Sequence, residues 1–445
     1  MLVKRKNKQF RINALIFLLS GSVFSPITSA MSFGDGGFFS DSQLDLKLRN
    51  VWMVNTTDQL ADEGFGDQIA WAQGLQLDFR SGWVQERFGI DASWYGVSKL
   101  YANRYFAGRD LVRDNKGHAE GFNKVGQLYA KASFGQEANY LRLYAGWKQL
   151  SKFGMVNVTT SRAAPDSWEG VSGEAGVGPL RARAALVTRF SARDETEKRH
   201  FYTLQSRKRI DYIATGDVRW QPEKGKFLSW VIGESKDYIL RQGIEAAWFF
   251  PVADEFRILL RGAGYYNRGL SEWEGSRGFS HNASHYFGLV GYQYGKGESG
   301  IGWSKTIASI KKGLGHFYWH FGSNTRGTFN SPADSEGNDY VNDGEQMVHL
   351  YSQYQISPQL RAGVYGNYGN HVSYQGVSLH EWEYGGFFAW APQAIKGLNI
   401  FAGFGPSYSW KLTRQKTPSI NHDGSFNRAK GVGGSLWFEY KLGLL

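Results

Sequence analysis

The 445-residue chain carries 51 Lys and Arg against 40 Asp and Glu, 16% aromatic residues, 56 glycines, 10 prolines and no cysteine. Without cysteine there is no disulfide framework, thiolate metal site or cysteine nucleophile. Beyond the first thirty residues the basic residues are spread along strands rather than clustered, which is no nucleic-acid signature. Abundant aromatics and glycine with little proline favour sheet and tight turns.

Residues 1–30 differ from the rest. Lys4, Arg5, Lys6, Lys8 and Arg11 precede the apolar run "ALIFLLSGSVF", and small residues end at Ala30. These are the three parts of a secretory signal peptide, so the domain to be explained is 31–445. Removing five basic residues with the signal leaves 46 against 40 acids, a mild excess of +6. No linker or charge block divides the remainder.

The first mature segment, "SQLDLKLRNVW", sets Leu44, Leu46, Leu48 and Trp52 against Gln43, Asp45, Lys47 and Arg49. Such period-two alternation means a strand with one apolar and one charged face. The pattern recurs down the chain. In "GQLYAKASF" Leu128, Ala130, Ala132 and Phe134 oppose Gln127, Tyr129 and Lys131; in "YLRLYAGWK" Leu141, Leu143, Ala145 and Trp147 oppose Arg142, Tyr144 and Lys148. "LRARAAL" sets Leu180 to Leu186 against Arg181 and Arg183, and "FRILLRGAGY" sets Phe256, Ile258 and Leu260 against Arg257 and Arg261. Near the end, Leu436, Phe438, Tyr440 and Leu442 oppose Trp437, Glu439 and Lys441. About eighteen such segments occur, each near the ~9–11 residues a tilted membrane-crossing strand needs.

Short turns such as "RSGW" and "FGQEAN" alternate with long polar stretches at 106–121, 191–198, 270–281, 322–345 and 414–428. Every apolar run after the signal is broken by a charge, so no transmembrane helix is available and lipid leaves only a closed barrel. The expected fold is all-β, a transmembrane antiparallel barrel of about 18 strands. A soluble propeller or sandwich would bury its bulkiest side chains and repeat at a fixed period. Here the apolar face mixes Leu, Ala, Gly and Phe, with Trp52, Trp71, Trp94, Trp147 and Trp220 toward strand ends, as an interface belt does. Arginines on the other face would be costly in a filled core and are cheap in a wet lumen.

Three strings carry more than architecture. "GESKDYILRQG" at 233–243, "NDYVNDGE" at 338–345 and "SRAAPDSWEG" at 161–170 resemble segments of the OprD-type outer-membrane porins. "FFSDSQLDLKLRN", "WAQGLQLDFRSGW" and "IKGLNIF" sit in the same order. The resemblance implies an eighteen-stranded pore whose third and seventh extracellular loops fold inward, with a ladder of basic side chains down one wall. It implies a substrate-specific channel for amino acids or small carboxylates; the alternative is the branch that takes up chito-oligosaccharides. It also implies the outer membrane of a Gram-negative bacterium, with lipid and lipopolysaccharide as surroundings, and a monomeric pore or loose homotrimer. One departure is the end of the chain, Leu444 and Leu445, where such barrels commonly place an aromatic.

The ladder candidates are Lys47, Arg49, Lys131, Arg142, Arg181, Arg183, Arg257, Arg261 and Arg361, because fixed cations in a narrow tube concentrate anions and guanidinium forks match carboxylates. Some of them would instead pair with wall acids such as Asp45, Asp78 and Asp91. The constriction candidates are Ser161, Arg162, Asp166 and Trp168 in the third loop and Asp339, Asp343 and Glu345 in the seventh. Acids there would orient a dipolar solute, or else only pin the loop.

No cofactor or metal is expected. "DSEGNDYVNDGE" puts Asp339 where a calcium loop needs Gly, and His316 and His320 lack the accompanying Glu of a zinc helix. The nearest approach to a nucleophile elbow, "GWSKT", fails at its last position. The expected function is passive transport; a barrel enzyme or adhesin is the rival from another class, and a soluble periplasmic lectin a third.

Overall fold

The computed structural model describes residues 37–57, 68–103, 111–158, 161–318, 338–413, 415 and 417–445. The expected signal at 1–30 lies outside them, as does His320. The first strands are β1 (Gln43–Thr57), β2 (Gln68–Arg80) and β3 (Phe88–Ala102), followed by a small hairpin, β4 (Arg113–Asn115) and β5 (His118–Glu120). Next come β6 (Phe122–Gln136), β7 (Asn139–Lys148), β8 (Ser167–Val177) and β9 (Leu180–Ser191), then a second hairpin, β10 (Phe201–Tyr202) and β11 (Arg209–Ile210). The series continues with β12 (Ile213–Glu223), β13 (Lys226–Ser235), β14 (Ile239–Ala253), β15 (Phe256–Gly269), β16 (Asn282–Tyr294) and β17 (Gly297–Ile307). It ends with β18 (Gln346–Ser357), β19 (Leu360–Tyr374), β20 (Val377–Trp390), β21 (Leu398–Trp410) and β22 (Arg428–Gly443).

Leaving out the two hairpins, each strand pairs antiparallel with the next, and β1 pairs with both β2 and β22, so the 18-stranded sheet closes on itself. Closure brings Arg49 opposite Glu439 and Trp52 opposite Leu436. A closed sheet leaves no unpaired edge, the condition for crossing lipid with strands.

The alternation read from the sequence separates two environments. On β1, Arg49, Val51, Met53 and Asn55 are buried while the residues between them look outward. Around the barrel the outward row stays apolar and open: Leu128 is 51% exposed, Ile244 56% and Val364 60%. A continuous apolar girdle of this kind far exceeds what a soluble monomer leaves uncovered. The leucines of β1 therefore face lipid.

Two differences from the sequence reading follow from packing. The inner face is not uniformly polar, because Val51, Met53, Ala70 and Ala72 are fully buried beneath Leu111, Val112, Ala163 and Ala164 of the second and third loops. Nor is every connection at the long-loop end long: residues 236–238 and 375–376 turn as tightly as 137–138, 178–179 and 224–225 do at the other end. The long loops share a core of their own, where Phe153, Met155, Val156, Trp168, Phe190, Phe201, Phe279, Phe317 and Val341 pack together in the mouth.

The third loop leaves the barrel after β7 and crosses to the β1–β2 wall. There the Ala163 carbonyl accepts Gln76 Nε2 at 3.3 Å and lies so close to Gly74 that any Cβ at that position would collide with it. Residues 161–164 thus narrow the lumen by resting on the far wall.

Candidate functional site

All nine ladder candidates fall on the inward row of their strands, but they form two groups. Arg49 is 3.0 Å from Glu439 and its guanidinium covers the Trp437 ring at 4.9 Å. Lys131 is 2.6 Å from Asp91 and also donates to the Ser81 carbonyl. Arg183 is 2.8 Å from Asp217, and Arg142 is 3.8 Å from Glu174. Arg361 lies over Phe387 at 5.9 Å, and Arg257 over Phe249 at 5.5 Å near the turn-side end. Among the described residues Lys47, Arg181, Arg257 and Arg261 have no carboxylate within ion-pair distance. Of the wall acids named above, Asp45 is taken by Arg80 and Asp91 by Lys131.

Two further cations join the second group. Arg219 on β12 stands over the Phe227 ring at 3.7 Å, in the field of Arg181 and Glu245. Lys152, from the third loop, lies in the field of Glu245, Arg219 and Arg261. Its backbone is left-handed, with φ 46°, a conformation that costs a non-glycine residue energy and persists only where surroundings hold it. They do so here: Lys152 N donates to Asn157 Oδ1 at 2.8 Å, and its carbonyl accepts from Arg183. The following residues are pinned as well, since Gly154 N donates to Asp217 Oδ2 at 2.8 Å and Met155 N to Thr215 Oγ1 at 2.7 Å. Enclosure, then the two guanidiniums, outweigh the pull of Glu245 and bring the Lys152 ammonium down to about 8.

The inner-wall acids share a device of their own. Tyr129 donates to Asp91 at 2.8 Å, Tyr140 to Glu174 at 2.7 Å, Tyr265 to Glu245 at 2.7 Å and Tyr351 to Glu298 at 2.8 Å. Each tyrosine lies against the wall, which the partner strand must permit: a Cβ on Gly243 would strike the Tyr265 ring. A hydroxyl donated to a carboxylate is a charge-assisted bond and holds the acid in place.

Six of the seven constriction candidates lie in the third and seventh loops, whereas Trp168, expected in the third loop, stands at the start of β8. Arg162, Trp168 and Glu345 are each 1% exposed, and Ser161 and Asp166 are buried. Arg162 Nη1 donates to Ser161 Oγ at 2.8 Å, and Asp166 Oδ1 accepts Arg193 N at 2.8 Å, tying the third loop to the fourth. Asp343 Oδ1 accepts Ala308 N at 2.7 Å. Glu345 Oε2 accepts both the backbone and side-chain nitrogens of Asn342, at 2.9 and 2.8 Å, and burial followed by the nearby charge of Glu381 pushes its carboxyl well above the usual range. Asp339 is half-buried beside Tyr340. Arg162, Asp166, Asp343 and Glu345 thus all bond within or between loops. Among the described residues no cluster of three His, Asp or Glu side chains is placed to hold a metal ion.

A closed barrel with an apolar belt, a narrowed waist and inner cations without ion pairs among the described residues defines a transmembrane channel protein. Residues 36–396 match the OprD family of outer membrane porins, and the chain belongs to that family. This places it in the outer membrane of a Gram-negative bacterium. Porin D of Pseudomonas aeruginosa is 39% identical over 66 residues, a match that covers 14% of this chain and 14% of that protein. Solved structures share the fold at low identity. A BenF-like porin from Pseudomonas fluorescens Pf-5 aligns over 92% of this chain and 100% of its own with 17% identity and a TM-score of 0.74. Pseudomonas aeruginosa OccK9 (OpdG) gives 17% identity over the same shares and 0.73. Acinetobacter baumannii OccAB3 gives 19% identity, 91% and 100% coverage and 0.72.

Proposed function

We propose that the chain is a passive, anion-preferring porin for small polar solutes, amino acids and small carboxylates among them. Its residues 1–30 are read as a signal peptide that directs export. The observation that carries the reading is the group of inward cations, Arg181, Arg219 and Arg261, with no ion-pair partner among the described residues. Fixed charge in a narrow tube with low-dielectric walls focuses the field and raises the local concentration of counter-ions. No catalytic step belongs to this reading.

Chito-oligosaccharides are the weaker alternative. A sugar track needs open aromatic faces, whereas the stacked inner rings Phe387, Phe401 and Trp437 are only 6–7% exposed. Planar bilayers test both: purified protein should give stepwise conductance with a reversal potential of anionic sign in a salt gradient. A sealed bilayer despite good incorporation, or a cationic sign, overturns the reading. Current blockade by amino acids or benzoates, and not by chito-oligosaccharides, is the expected second result. For assembly we propose a monomeric pore, loosely trimeric at most, among lipid and lipopolysaccharide.

A further inference from the structure

The inner wall holds acids and bases in the same stretch of strands, yet they do not neutralise one another. Glu245 on β14 lies in the field of Arg219 and Lys152, and Glu298 on β17 lies in the field of Arg261. Neither acid forms an ion pair among the described residues; each bonds instead to a tyrosine, Tyr265 at 2.7 Å and Tyr351 at 2.8 Å, with Gln353 a second, weaker partner of Glu298. In a site of reduced dielectric a carboxylate left to itself would turn to the nearest guanidinium, because that attraction exceeds what water offers.

The geometry points to Tyr265 and Tyr351 as positioning residues for selectivity: their hydroxyls hold Glu245 and Glu298 against the wall, and so keep Arg219, Arg261 and Lys152 available to an anionic solute. The inference rests on the anion-preferring reading above and deepens it. The tyrosines touch no solute; they act through the acids they restrain. The arrangement accounts for a wall that sets acids beside its bases and still presents cations without ion pairs. It also accounts for the bare Gly243 beneath the Tyr265 ring, since only a ring lying flat on the wall can bring its hydroxyl to Glu245 there.

The test is Tyr265→Phe and Tyr351→Phe, which keep the ring and delete the hydroxyl, each measured by reversal potential in a planar bilayer. Heat-modifiable migration on a gel confirms the fold of each variant beforehand. Each variant should lower the anion-to-cation permeability ratio by about twofold, as a released carboxylate pairs with its neighbouring cation. Adding Glu245→Gln to the first, or Glu298→Gln to the second, should restore the ratio to at least the parent value, because an amide cannot neutralise an arginine. A ratio that falls and is not restored marks the tyrosines as packing residues and overturns the inference. A ratio unchanged in both variants, with an anion-selective parent, overturns it while leaving the channel reading intact. A cation-selective parent removes both. If one variant fails to fold, the other tyrosine–acid pair decides alone.

Discussion

Two stretches of the inner wall use the same residue types to opposite ends. Along β22, β1, β3 and β6, the cations Arg49 and Lys131 are 6% exposed and locked to Glu439 and Asp91. Along β9, β12 and β15, the cations Arg181, Arg219 and Arg261 stand half-buried without ion pairs among the described residues, while acids on β14 and β17 bond to tyrosines. Arg49–Glu439 closes the barrel across the chain ends in the first stretch, where Lys47 is a cation without an ion pair among the described residues, and in the second Arg183 pairs with Asp217 while its neighbours do not. Position on the polar row of a strand is thus not a role; where the acids bond decides it.

The largest expected effect lies on the closing stretch. Lys131→Met should cost about 3–5 kcal/mol, since it strands Asp91 in a buried site with only the Tyr129 hydroxyl. Urea titration of the heat-modifiable band would show it, and a loss under about 1 kcal/mol would mean the pair is no anchor. On the open stretch, replacing Arg181, Arg219 and Arg261 together by Ala should leave the fold in place. It should cut the anion-to-cation permeability ratio by roughly tenfold, each charge at about 10 Å in water being worth roughly 0.4 kcal/mol, or about twofold. An unchanged reversal potential would dissolve the contrast between the two stretches.

Lys152 sharpens the same contrast through pH. Its ammonium titrates at about 8, so it is charged below that pH and neutral above. Anion preference should therefore fall as pH rises from 7 to 9, by up to about twofold for the loss of one charge, and Lys152→Met should flatten the profile at the lower level. The smallest effect is expected at Glu345, which is 1% exposed and bonds to Asn342 within the seventh loop. Its carboxyl is held above the ordinary range, so the folded protein binds a proton that the unfolded chain releases first, and stability drains away as pH rises past the usual carboxylate value. Glu345→Gln imitates the protonated form. It should change stability by less than about 0.5 kcal/mol at pH 5 and leave the protein steadier than its parent at pH 9, by the same urea titration.

Much of this was legible beforehand because strands betray their faces. "SQLDLKLRNVW" and "LRARAAL" assign Arg49, Arg181 and Arg183 to the inner row by alternation alone, and the barrel keeps that assignment. Arg219 escaped notice because its alternating run stops at Pro222, only three residues on. Lys152 could not be seen, since a loop side chain points where its backbone turns it, and here that turn is a left-handed one held by Asn157 and Arg183. The tyrosine–acid pairs join residues 20 to 53 positions apart and leave no local signature.

By itself the sequence determined the closed antiparallel barrel, its lipid-facing rows and its family, because lipid tolerates only strands that alternate and close, and that constraint is written into every segment. Which inner arginine is paired and which is free was decided only by tertiary structure. Register places Glu439 against Arg49 across 390 residues, and the third loop must cross the lumen before Lys152 can stand beside Arg219 and Arg261. Charges of one type on one face look alike in a string of letters, and only their distances to acids and hydroxyls on other strands tell them apart.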